Sequence, residues 1–229
     1  MAISIRIQLN EQLYLRDPQD TKLGRRIIQH SILLIDEVGF EHFTFKKLAD
    51  RIDSTEASVY RYFENKHLLL VYLLSWYWEW IKFLIERNTS NINDPQQALR
   101  IALHTIVDAA GPDPVVDFVD EAVLHRIVIA EAIKTYRTKM VDADNKKGFF
   151  LAYKSLCRNI ASCISAVNPS YPYPRALAST LLEMSNDHVY FAQHLPSLTD
   201  ITIVDGDNSQ LKQLLEDFAF RILTAAKPD

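Results

Sequence analysis

Glycine is scarce in this chain, at 5 of 229 residues. There is no Gly-rich loop of the kind that cradles a phosphate, and no nucleophile elbow, so the common nucleotide-binding and serine-hydrolase arrangements are excluded. Cysteine is nearly missing. Cys157 and Cys163 lie six apart without sharing a helical face, and read as small buried apolar residues of a reducing compartment. No early stretch has the basic-then-apolar form of a signal peptide, and no apolar run reaches membrane-spanning length. The expectation is a soluble, cytoplasmic protein that uses no membrane. Acid–histidine constellations are lacking too. Asp187-His188 and Glu121…His125 are the nearest such pairs, neither has a second copy, and there is no pair of Glu-x-x-His motifs to build a di-iron bundle. No catalytic residue, metal site or cofactor is therefore expected, and the chain does not read as an enzyme. An excess of positive charge is also wanting. The net charge is −4, whereas a nucleic-acid binder usually shows a basic footprint.

What the chain has is apolar periodicity. Hydrophobic residues make up 48% of it, which favours an ordered, helix-rich protein. The organising stretch is Thr44–Lys66. Thr44 is a suitable N-cap, because its hydroxyl can accept from a free backbone N–H. Phe45, Leu48, Ala49 and Ile52 follow at helical spacing on one face. Asp53-Ser54-Thr55 breaks the pattern, since these side chains compete for the helix's own backbone groups. Thr55 caps a second short helix whose inward residues are Val59 and Phe63. Two short helices joined by a tight polar turn read as a helix-turn-helix, whose second helix enters the DNA major groove. A plain helical hairpin has the same periodicity. The positives in the stretch (Lys46, Lys47, Arg51, Arg61, Lys66) outnumber the negatives (Asp50, Asp53, Glu56, Glu64) by one. An acidic body does not exclude DNA binding, because only the contacting face must be positive, but it does predict weak non-specific affinity.

The wording of the stretch goes further than its spacing. Leu48-Ala49, Thr55, Tyr60, Phe63, Lys66 and Leu68-Leu69, with Gly39 after the preceding helix, resemble the signature of the tetracycline-repressor (TetR) family from Ile27 to about Leu70. The resemblance implies a DNA-binding transcriptional regulator, a ligand-responsive repressor acting as a homodimer on a double-stranded operator. In that reading Thr44 and Lys46 hold a phosphate at the start of the second helix, and Tyr60 and Lys66 match the family's phosphate contacts. Thr55, Glu56, Ala57, Ser58 and Arg61 face the groove. Arg61 can read a guanine through its two donors, and Ser58 is small enough for close approach. This chain departs from the family at Asp53, where a small residue, often Gly, is usual. It departs again at Ser54, where an aliphatic is usual, and at Glu56, where Lys or Arg is common. Those changes support an alternative: a ligand-binding or protein-interaction module that keeps the fold and binds DNA poorly.

The rest of the chain reads as helix after helix. One runs from Asp20 or Thr21 to Gly39, and a long one runs from about Lys66 to Arg87. Others cover Gln96–Ala110, Val116 to about Met140 (interrupted by Asp142–Asn145), Lys147–Val167, Arg175–His194 and Ser209–Ala226. Residues 2–9 and 200–204 alternate apolar and polar, so they are candidate short strands that need each other as partners. The fold class expected is all-α, with a three-helix head at 1–66 and a helical ligand-binding and dimerisation bundle at 67–229. By resemblance, 175–194 and 209–226 form the dimer. A small, mostly apolar ligand is expected, with Trp80, His104, His125 and Tyr153 as candidate contacts, since they are polar-tipped residues on apolar helices.

Overall fold

The structure is a computed structural model and describes residues 6–113, 116 and 118–224. Among these residues the chain forms eleven α-helices and no sheet. It divides into two compact units, Met1–Glu79 with Ala110–Tyr153, and Trp80–Ala109 with Lys154–Asp229.

In the first unit, α1 (Lys22–His42) starts where the Thr21 hydroxyl accepts from the Gly24 N–H at 2.9 Å. Ile27, Ile28, Ser31, Ile32, Leu34 and Ile35 are buried along one face, as their spacing predicts. Gly39 has φ 75° and ψ 155°, a conformation essentially closed to residues with a Cβ, so the regular helix ends there and a last short turn carries it to His42. Next come α2 (Phe45–Arg51), α3 (Glu56–Tyr60) and α4 (Lys66–Thr89). Phe43 and Phe63 are fully buried beneath them. Later in the chain come α6 (Glu121–Glu131), capped by Asp120, then α7 (Ile133–Tyr136) and α8 (Val141–Lys146). Between α4 and α6 lies α5 (Pro95–Asp108), which belongs to the second unit.

Several expectations change here. Of the candidate strand at 2–9, residues 2–5 lie outside the described residues, and 6–9 form no strand. The alternation does report burial, since Ile7 is buried and Arg6 and Gln8 are exposed. Its backbone partner, however, is a side chain. Ile7 donates to Gln19 Oε1 at 3.2 Å and accepts from Gln19 Nε2 at 2.8 Å. Residues 200–203 form no ladder, and only Val204 bridges to Asp207 across a tight turn. Among the described residues neither segment forms a ladder. The single helix expected from Val116 to Met140 is two, α6 and α7, and the segment expected to break it, Asp142–Asn145, is helical within α8. Asp144 is buried there against His67, at 3.1 Å. The real break is Gly148, at φ 77°, where a Cβ would meet Leu151 Cδ1 at 2.9 Å. The next helix, α9, therefore begins at Leu151, not Lys147. Finally, α4 does reach the length and apolarity of a membrane span over its 24 residues, yet 78% of its most apolar stretch is buried within the protein. A helix apolar on all sides is what a central core position requires.

In the second unit α10 (Pro174–His194), α11 (Ser209–Thr224) and α5 pack on one another, and α9 (Leu151–Val167) belongs to that unit from Lys154 onward. The large apolar residues of α11 divide between two faces. Leu211 and Leu215 are buried with Ala219 and Leu223, while Phe218 and Ile222 are exposed at 46% and 40%. Glu216 ties α11 to α5, accepting from Arg100 Nε at 2.9 Å and meeting His104 Nε2 at 2.5 Å. Burial alone pushes the Glu216 carboxyl upward, but the Arg100 and His104 hydrogen bonds and charges outweigh it and the net shift is downward. A depressed carboxylate stabilises the fold above its unfolded-state range and loses that contribution as pH falls. Acid titration of the unfolding midpoint should show this loss as pH drops below the ordinary glutamate range. The Glu216→Gln protein should lack that component, and an unchanged titration curve would reject the assignment.

Candidate nucleic-acid interface

The turn between α2 and α3 carries the geometry of the head. Ser54 N–H donates to the Ala49 carbonyl at 2.9 Å and Asp53 N–H to the Asp50 carbonyl at 3.4 Å, so α2 closes in a Schellman motif with Asp53 at the left-handed position, φ 46°. This is why the family favours glycine there, and Asp is among the few residues that tolerate the conformation. Asp53→Gly should stabilise the head by up to about 1 kcal/mol and raise DNA affinity by removing a negative charge. Urea unfolding and a binding titration read the two effects, and a destabilised variant would contradict the strain argument.

Both helices of the motif are capped as read from the sequence. Thr44 Oγ1 accepts from Lys47 N–H, and Thr55 Oγ1 from Ser58 N–H, each at 3.2 Å. On α3, Val59 is buried while Thr55, Glu56, Ala57 and Tyr60 are exposed, Arg61 directly follows them, and Ser58 is half-buried. The Ser58 hydroxyl lies 2.9 Å from that of Thr55 and accepts from Arg61 Nη2 at 3.2 Å. The two hydroxyls thus steer the guanidinium along the exposed side of the helix. Tyr60, 47% exposed, packs edge-on against Phe45 at 5.0 Å, which holds the ring at the surface. Lys46 is exposed beside the Thr44 cap.

Lys66 occupies a different setting. Its ammonium donates to the carbonyls of Phe40 and Glu41 at 3.1 Å and of Phe43 at 3.3 Å, and sits 4.8 Å from the centre of the Phe40 ring. A cation at the C-terminal end of a helix meets the negative end of its dipole. In this structure Lys66 therefore holds the end of α1.

Other residues of this arrangement carry no local sequence signal. Arg26 donates to the Ile52 carbonyl at 2.7 Å and so clips α2 to α1. Arg126 on α6 forms a two-pronged pair with Asp36 on α1, at 2.9 and 2.7 Å. Buried Glu131 accepts from the Phe40 N–H at 3.5 Å and pairs with Lys134 at 2.7 Å. His30 on α1 titrates below its usual range, first through burial and then through the Arg51 and Arg26 charges.

The four candidate ligand contacts have four different surroundings. Trp80 is fully buried and stacks with Phe83 at 5.7 Å. His104 belongs to the Glu216 cluster. His125 stacks on Tyr77 at 5.6 Å. Tyr153 joins an aromatic group with Trp78 and Tyr136, at 5.4 and 5.7 Å.

A bundle of helices carrying an exposed, doubly capped helix-turn-helix defines a class of DNA-binding head. Residues 27–73 match the family described as bacterial regulatory proteins, tetR family. The head is therefore a TetR-family head, and the all-helical fold is that of the family. Among solved structures the chain is similar to PfmR, a TetR family transcriptional regulator from Thermus thermophilus. The identity is 13%, the TM-score 0.56, and the match covers 89% of this chain and 100% of that one. It is similar to AibR in complex with isovaleryl coenzyme A and operator DNA at 16% identity and TM-score 0.55, over 87% and 97% of the two chains. It is also similar to the superantigen PfiT, at 12% identity and TM-score 0.59 over 88% and 97%. At these identities the likeness is one of fold. No curated protein matches the chain in sequence.

Proposed function

We propose that this chain is a ligand-responsive transcriptional repressor that binds a double-stranded operator as a homodimer. The observation that carries the reading is the exposed face Thr55–Arg61, with its guanidinium held by the Ser58 hydroxyl. The chemistry is that of groove reading: Arg61 offers two donors to a guanine edge, while Thr44, Lys46 and Tyr60 lie where a phosphate strand would pass. The exposed Phe218 and Ile222 on α11 support a helical dimer interface through 175–194 and 209–226. Solved AibR carries both an operator and a small ligand, which supports the same pairing of roles here. A ligand shifts such a protein only by its differential affinity for two states. The Arg126–Asp36 and Glu131–Phe40 links from α6 to α1 are the contacts through which a change at α6 would reach the head.

The test is a gel-shift titration against the DNA upstream of the protein's own gene, at several salt concentrations. We expect specific binding by two chains with a clear salt slope. Arg61→Ala should cost about 1–3 kcal/mol and relax preference at one base position, while Tyr60→Ala should weaken all sequences alike. Absence of specific binding at low salt would favour the second reading, a TetR-fold interaction module. That reading is supported by exposed Glu56 in the first turn of α3, where an acid repels phosphate, and by the likeness to a superantigen.

A further inference from the structure

The helix-turn-helix is short of free positive charge. Three of the cations in Thr44–Lys66 are engaged within the protein. Lys47 donates to the His42 carbonyl at 3.0 Å, Arg51 pairs with Glu37, and Lys66 holds the end of α1. Lys46 and Arg61 remain, against the exposed acids Asp50, Asp53, Glu56 and Glu64. A protein that grips a duplex needs cations on the contacting face, since neutralising phosphates supplies the sequence-independent part of its affinity.

Further cations stand on the arm before α1. Three contacts fix this arm against Tyr62, the residue that follows Arg61. Leu15 N–H donates to the Tyr62 carbonyl at 2.8 Å, the Thr21 and Tyr62 hydroxyls lie 2.7 Å apart, and the Arg16 guanidinium lies 5.6 Å from the centre of the Tyr62 ring. Tyr62 is itself buried, which makes it a fixed floor for the arm. Arg16 and Lys22 are both exposed, and neither pairs with an acid among the described residues. The acids between them, Asp17 and Asp20, are both met by Arg6, at 2.5 and 3.0 Å. Glu11, the remaining acid of residues 6–22, precedes Arg16 by five residues. The next cations along α1 are engaged: Arg25 donates to the Gln19 carbonyl at 2.9 Å, and Arg26 to that of Ile52. In three-helix DNA-binding heads such as the homeodomain, the segment before the first helix runs beside the groove next to the one that the third helix reads. The corresponding segment here is anchored beside the end of α3 and presents two cations to solvent.

We propose that Arg16 and Lys22 bind the phosphate backbone of the duplex that α3 reads, and so supply charge that the helix-turn-helix lacks. This assignment rests on the DNA-binding reading and adds the arm to its contact surface. The experiment is a gel-shift titration of the full chain at four or five salt concentrations, on the DNA upstream of its own gene and on a scrambled duplex of equal length. Each phosphate contact contributes about 0.9 to the dependence of log K on log salt. Arg16→Ala and Lys22→Ala should each make the slope shallower by about one unit, and the double variant by about two. At low salt the double variant should bind both duplexes about tenfold or more weakly, with their ratio unchanged. Arg16→Lys keeps the charge and should keep the slope. Melting temperatures show that each variant folds, and Lys22→Ala keeps the test decisive if loss of the Arg16–Tyr62 contact disturbs the arm. An unchanged slope in the double variant overturns this proposal and leaves the regulator reading intact. A loss confined to one of the two duplexes also overturns it, because a backbone contact carries no sequence information. If the unaltered chain binds neither duplex at low salt, both readings fall.

Discussion

Lys66→Ala should lower the unfolding free energy of the head by about 2 kcal/mol and weaken operator binding at least tenfold, with no change in the salt slope. The stability term follows from three charge-assisted bonds and a cation–π contact on a partly exposed ammonium, discounted for the water that replaces them. The slope argument follows from counterion release, in which each phosphate contact contributes about 0.9 to the dependence of log K on log salt. A lysine whose three donors face the end of α1 acts by fixing where α1 meets the start of α4. Removing it then lowers affinity at every salt concentration alike. Urea unfolding and gel shifts at four or five salt concentrations measure both. A slope shallower by about one unit would assign Lys66 to a phosphate, as its sequence position implies, and would mean that the ammonium leaves the α1 carbonyls when DNA binds.

Gly24→Ala should destabilise the protein by about 3 kcal/mol, against the sign expected from local preference. Alanine in a helix interior is favoured over glycine by about 1 kcal/mol. Here a Cβ would lie 2.2 Å from the Pro18 carbonyl oxygen and 2.5 Å from Pro18 Cα, backbone atoms with little room to yield. The turn at Pro18–Asp20 must lift, and it takes with it Gln19, whose side chain holds the Ile7 backbone. Buried Ile7 and Leu13 then lose their cover, at about 1.5–3 kcal/mol each when fully exposed. The lifting also strains the hydrogen bond from Leu15 N–H to the Tyr62 carbonyl, 2.8 Å, and that between Thr21 and the Tyr62 hydroxyl, 2.7 Å. Chemical unfolding with limited proteolysis of the arm measures the effect. A more stable variant with an uncut arm would show that the arm sits loosely on α1.

The sequence located the helix-turn-helix closely because its signals are local. Thr44 and Thr55 cap through their own hydroxyls, Gly39 breaks a helix through its own backbone, and Val59 and Phe63 turn inward by periodicity alone. The arm misled for a related reason. Alternation at residues 6–9 reports which side is buried, and a glutamine side chain satisfies an extended backbone as well as a strand does. The segment after residue 116 differs from its reading because the break falls at Gly148, whereas Asp144 is held inside α8 by burial against His67, a contact that no window of sequence contains.

The amino-acid order alone determined where each helix begins in the head, which face of it is apolar, and the family to which that head belongs, since hydrogen-bond capping and helical periodicity act over three or four residues. Only the tertiary structure decided that Lys66 meets the end of α1, that Arg126 reaches Asp36, and that Asp144 is buried against His67. Such pairs are separated by tens of residues in the chain, and their energies exist only once packing has excluded water from between them.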